Sequence, residues 1–97
     1  MALLPPGKPT VFNVTLTPAD TEVDQVLPAN TKAITVQART AADIKLAWID
    51  TESGTTFITV KSGSIYFNDR INTNQTIHLQ SPTNNTVAEI ETWSGGS

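Results

Sequence analysis

The chain contains no cysteine and only one histidine among its 97 residues. Without thiols it has no disulfide framework, no thiolate zinc site and no cysteine nucleophile. With His78 as the sole imidazole, a multi-histidine metal cluster is excluded, and a Ser-His-Asp arrangement would have to form around that one ring. Basic residues are also scarce: six Lys and Arg, each standing alone, against nine Asp and Glu give a formal net charge of -3. That is the wrong sign and the wrong spacing for following a phosphate backbone, so no direct nucleic-acid surface is expected. No apolar run approaches the roughly twenty residues of a membrane helix. The opening residues lack the charged start and apolar stretch of a signal peptide. The expectation is a protein made in the cytoplasm with no membrane contact.

What the chain does have is alternation. Apolar and polar residues largely alternate in residues 32–38, 43–49, 76–80 and 88–92. Period two gives a strand one buried face and one wet face. Only 15% of residues are charged, and polarity comes instead from Thr, which suits strands, and from Asn and Ser, which suit turns. A chain of this length supports one core, burying about two thirds of its unfolded surface.

The strands expected are residues 11–17, with Phe12, Val14 and Leu16 inward; a weaker 22–27; 32–38, with Ile34, Val36 and Ala38 inward; and 43–49, with Ile44, Leu46 and Trp48 inward. Residues 56–61, 64–67, 76–80 and 86–93 complete the series. Pro28, Ala29 and Asn30 supply one turn, and Ser62 and Gly63 another. The short link at residues 40–42 implies a hairpin between the third and fourth strands, and residues 81–85 join the last two as a pair. Phe57, Ile58 and Val60 place apolar groups on both sides of their strand, which fits a central strand or one at an interface. Trp48 is the expected large core anchor. About eight strands with turns every ten or so residues describe a single-domain, all-β antiparallel sandwich or jelly roll. Residues 1–9, with Pro5, Pro6 and Pro9, read as an extended N-terminal arm; residues 10–93 are the sandwich and 94–97 a flexible tail.

Candidate chemistry is sparse. His78 sits between Ile77 and Leu79 and reads as an exposed strand histidine. Asp20, Glu22 and Asp24 share one face of an extended segment; they could attract a hard cation such as calcium, or simply form a solvated acidic edge that discourages sheet-to-sheet aggregation. Asp50 and Glu52 make a weaker version of the same case. Glu89 and Glu91 project side by side into water, not across a cleft as a glycosidase pair would. The Asn-x-Thr matches at Asn13, Asn74 and Asn84 follow from a composition rich in Asn and Thr. No residue is assigned a catalytic, cofactor-binding or metal-binding role, and no cofactor is expected.

Apolar residues out of phase with the core are more informative. Ile49, Tyr66, Val87 and Trp93 fall on expected outward faces, where aromatic and aliphatic groups often mark contacts with other chains. A β-bulge turning Trp93 inward is the competing account of that residue. Together with Leu3, Leu4, Pro5 and Pro6 of the arm, these are the candidate partner-binding residues.

Taken together, the segments Leu27-Pro-Ala-Asn-Thr-Lys-Ala-Ile-Thr-Val-Gln-Ala-Arg39, Asp43-Ile-Lys-Leu-Ala-Trp48, Gly63-Ser-Ile-Tyr-Phe67 and Leu79-Gln-Ser-Pro82, continuing through Val87-Ala-Glu-Ile-Glu-Thr-Trp93, resemble small β-sandwich decoration or cement proteins of tailed bacteriophage virions. The likeness runs from Val26 to Trp93 and is one of strand and turn pattern. It implies a non-enzymatic structural protein on the capsid surface, often trimeric, that bridges neighbouring copies of the major capsid protein. A carbohydrate- or receptor-binding module of a phage tail or fibre is the alternative, with Trp93 and Tyr66 as stacking platforms for sugars.

Overall fold

The computed structural model describes residues 9–71 and 75–94. Eight strands form: β1 (Thr10–Leu16), β2 (Val23–Val26), β3 (Thr31–Ala38), β4 (Ile44–Ala47), β5 (Ile58–Val60), β6 (Tyr66–Asn68), β7 (Thr76–Gln80) and β8 (Thr86–Ser94). There is no helix among the described residues. Leu3, Leu4, Pro5 and Pro6 of the expected arm, the turn at 72–74 and the glycines near the C-terminus lie outside the described residues.

The strands build two four-stranded sheets, ordered β1-β8-β3-β6 and β2-β7-β4-β5, with every pairing antiparallel. The chain thus pairs first strand with last, second with seventh, third with sixth and fourth with fifth. This is one long hairpin rolled into two layers, the jelly-roll form of the sandwich. The topology corrects two expectations. β3 and β4 are not a hairpin, and β7 and β8 are not partners; in each case the short link carries the chain from one sheet to the other. Only β4 and β5 are both consecutive and paired. β5 is also an edge strand and not a central one.

The core lies between the sheets and is aliphatic. Leu16, Ile34, Val36, Ile44, Leu46, Ile77, Leu79 and Ile90 are fully buried there, each contributing about 1.5–3 kcal/mol through removal from water. Alternation within β1, β3 and β8 follows the sequence: Phe12, Val14 and Leu16, then Ile34 and Val36, then Ala88 and Ile90 face inward. Trp48 departs from its expected role. It is half-buried at the margin, packing on the core while lining a surface cavity with Asn68, Arg70 and Ile71.

The ends of the roll are tied by loop hydrogen bonds. Asp20 N donates to Ser81 O at 2.8 Å, Asn85 N to Leu16 O at 3.1 Å and Ser62 N to Asp43 Oδ1 at 2.8 Å. The turn before β3 needs a left-handed residue, and Asn30 supplies it at φ 63°, a conformation that asparagine tolerates better than most.

Candidate functional site

Two surfaces stand out, one on the outer face of each sheet. On the second sheet, the register aligns Asp24 with His78 and His78 with Ala47, and Gln80 with Lys45. Core residues Ile77 and Leu79 occupy the inner face, so alternation should leave His78 and Gln80 in water. Instead His78 is only 6% exposed and Gln80 and Ala47 are also buried. The expectation of an exposed strand histidine is overturned. The cause is the β4–β5 connection, which folds back over this face and sets Ser53, itself fully buried, against Gln80.

Glu22 anchors that fold-back. Its Oε2 accepts from the Thr51 amide at 2.8 Å, and its Oε1 accepts from the Ser53 amide at 3.0 Å and the Ser53 hydroxyl at 2.6 Å. Ser53 Oγ also lies 2.9 Å from Gln80 Oε1. A hydroxyl has one hydrogen, and the charged carboxylate is the stronger acceptor. The Gln80 contact is then best satisfied with its amide turned so that the nitrogen donates to Ser53 Oγ. Burial raises the Glu22 carboxyl, but the Ser53 hydroxyl, the Ser53 and Thr51 amides and the neighbouring His78 outweigh it and hold the group below its usual 4.5.

Around the imidazole the structure gathers carboxylates that the sequence keeps apart. His78 Nδ1 is 2.7 Å from Asp24 Oδ1, 3.6 Å from Glu22 Oε2 and 3.7 Å from Asp50 Oδ1. Glu22 and Asp24 do share a face, as their spacing suggests, but they form a walled recess and not a free acidic edge. Asp20 takes no part in the group, and its φ of 58° places it in a turn. Beside this recess, Lys45 Nζ sits 4.9 Å from the centre of the Phe57 ring, a cation–π contact on the same outer face.

The outer face of the first sheet is different in kind. Adjacent rows run Val11, Glu91, Thr35, Phe67 and Asn13, Glu89, Gln37 across all or part of the sheet. Between them lies a shallow groove of about 380 Å³ walled by Val11, Ile65, Glu89 and Glu91. Arg39 Nε donates to Glu89 Oε2 at 2.9 Å and Gln37 Nε2 to Glu89 Oε1 at 3.0 Å. These bonds, the one from Arg39 foremost, hold the Glu89 carboxyl below its usual 4.5.

The expected partner-binding residues divide here. Ile49 is 65% exposed. Val87 and Trp93 are half-buried on the outer side of β8, whose alternation persists through Trp93. The register shift at this point falls in β3, between Thr31 and Ala33, and does not invert Trp93. Tyr66 is the correction: it packs against the core, and its hydroxyl accepts from Asn68 Nδ2 at 3.0 Å. Its neighbours are the exposed pair, Ile65 at 62% and Phe67 at 58%. With Tyr66 turned inward, Trp93 alone is left of the two stacking platforms that a sugar-binding module would use. Three consecutive apolar residues at the start of a short edge strand carry no period-two signal, so residue type alone did not distinguish which of them faces out.

The fold defines the chain as an all-β jelly-roll sandwich. Comparison with protein-family models, with curated proteins and with solved structures gives no match.

Proposed function

We propose that this chain is a non-enzymatic virion structural protein that decorates the outside of a bacteriophage capsid and bridges neighbouring copies of the major capsid protein. The observation that supports it best is the exposure of Ile65 and Phe67 on edge strand β6 and its approach, with Val11 across the same sheet face. Large apolar groups fixed in water on one face gain free energy when another chain covers them. Glu89 and Glu91 between them favour a partner that brings hydrogen-bond donors or positive charge.

In this reading the sandwich is a spacer and a clamp. It binds the assembled lattice better than free subunits, and the lattice is stabilised by mass action. Self-association as a trimer raises the effective strength of each weak contact. Residues 1–9 supply a second contact with a neighbour. Sedimentation with capsids lacking the protein tests the reading. Saturable binding at a fixed ratio to the major capsid protein is expected, and no binding at any concentration contradicts it.

A further inference from the structure

We propose that Glu22, Asp24, Asp50 and His78 form a binding site for a divalent first-row transition cation of the Zn²⁺ type. The four donor atoms, one imidazole nitrogen and three carboxylate oxygens, lie within 4.8 Å of one another. Oxygen and nitrogen ligands at about 2.0–2.2 Å from zinc stand roughly 3.3–3.5 Å apart in a tetrahedron. The separations from His78 Nδ1 to Glu22 and Asp50, 3.6 and 3.7 Å, are already close to that. Asp24, at 2.7 Å, makes a hydrogen bond with the same nitrogen. The ion would take the place of the proton in that bond, with the ring carrying its hydrogen on Nε2, and the exposed Asp24 side chain would move out by less than an ångström.

Three features separate this recess from an ordinary acidic surface. The first is the buried ring. His78 lies on the outer face of its sheet, is shielded from water by the folded-back connection, and points its Nδ1 at three carboxylates. The second is charge. Among the described residues the sole ion pair made by a Lys or Arg is Arg39 with Glu89, on the other sheet, and Lys45 on this face stands against the Phe57 ring, so one imidazole faces three carboxylates with no Lys or Arg paired to them. A dication answers that imbalance. The third is orientation. Glu22 is held by the Thr51 and Ser53 donors, as ligating carboxylates usually are by groups behind them, while Asp50, with its side chain 73% exposed, leaves a path from solvent.

The donor set selects the ion. Imidazole with carboxylates suits zinc and its neighbours, whereas calcium takes six to eight oxygens and the recess offers one nitrogen in their place. A bound ion would join β2, β7 and the β4–β5 connection, segments far apart in the chain, and would act as a clip. The proposal is independent of capsid attachment.

The test is calorimetric titration of ZnCl₂ into untagged, EDTA-treated protein, with thermal melts alongside. One ion per chain is expected, with Tm rising by about 10 °C when free Zn²⁺ is a hundredfold above Kd. Because His78→Ala could simply unfold the protein, the informative variants are Asp50→Asn and Asp24→Asn, at exposed side chains. Each should weaken binding at least tenfold, with the metal-free Tm nearly unchanged in Asp50→Asn and lowered by no more than a few degrees in Asp24→Asn, whose amide oxygen still accepts from His78 Nδ1. Absence of heat and of a Tm shift at millimolar ZnCl₂ overturns the site, as does a Kd unchanged in both variants. An equal response to CaCl₂ overturns the assignment of imidazole as a ligand.

Discussion

Ser53 and Gln80, separated by 27 positions in the chain, meet at 2.9 Å in a buried contact on the outside of the second sheet. Through it a loop becomes part of the folded interior: Ser53 is held by Glu22 on one side and covers Gln80 on the other. Removing the hydroxyl in Ser53→Ala leaves a buried amide without its partner, at a cost of about 1–3 kcal/mol. In urea the midpoint should fall with the slope unchanged. A midpoint equal to wild type would mean that the loop does not close over Gln80.

Gly54 tests the same closure from its other side. A Cβ added there would come within 3.3 Å of the Gln80 side-chain amide, tighter than an ordinary contact. Gly54→Ala should therefore shift the Gln80 side chain and lower Tm by a few degrees, on the order of 1 kcal/mol for crowding in a packed site. If Tm rises instead, the side chain has room to yield.

The core and the exposed edge should respond in opposite ways. Leu79→Ala opens a cavity between the sheets and should cost about 2–5 kcal/mol. The double change Ile65→Ser with Phe67→Ser alters two exposed side chains and should stay within about 1 kcal/mol of wild type, the sum of two surface changes. Chemical denaturation of both variants checks the assignment of β6 faces, and a large loss in the double variant would contradict it.

Much of the fold was legible in the residues. Alternation in 32–38 and 43–49 reported the inner faces of β3 and β4 because both strands lie inside their sheets, with one side on a single core. Pairing was not legible. Short links at 40–42 and 81–85 suggest hairpins, but in a rolled hairpin such links change sheets, and the partners of each strand are set by closure of the whole chain. The acidic residues and His78 were each visible as candidates. Their convergence was not, since it depends on a fold-back that carries Asp50 and Ser53 onto β7, and no local pattern encodes it.

Glu89 predicts a pH dependence. Its carboxyl is held below its usual 4.5 by Arg39 and Gln37, so it binds its proton less readily when folded than when unfolded. The stabilisation is present above the unfolded value and is lost as pH falls through the lower, folded value. Between about pH 5 and pH 3 the stability of wild type should fall more steeply than that of Glu89→Gln. Identical acid limbs in the two proteins would show that the pair with Arg39 contributes nothing.

The central claim is that the Ile65 and Phe67 face attaches the protein to an assembled lattice. The most direct measurement is the occupancy of the Ile65→Ser, Phe67→Ser double variant on capsids lacking the protein, with wild type measured in parallel and solution mass followed by light scattering. The account predicts saturating occupancy for wild type and at least a tenfold weaker affinity for the folded variant. Equal occupancy of the two, or none for wild type, would contradict it.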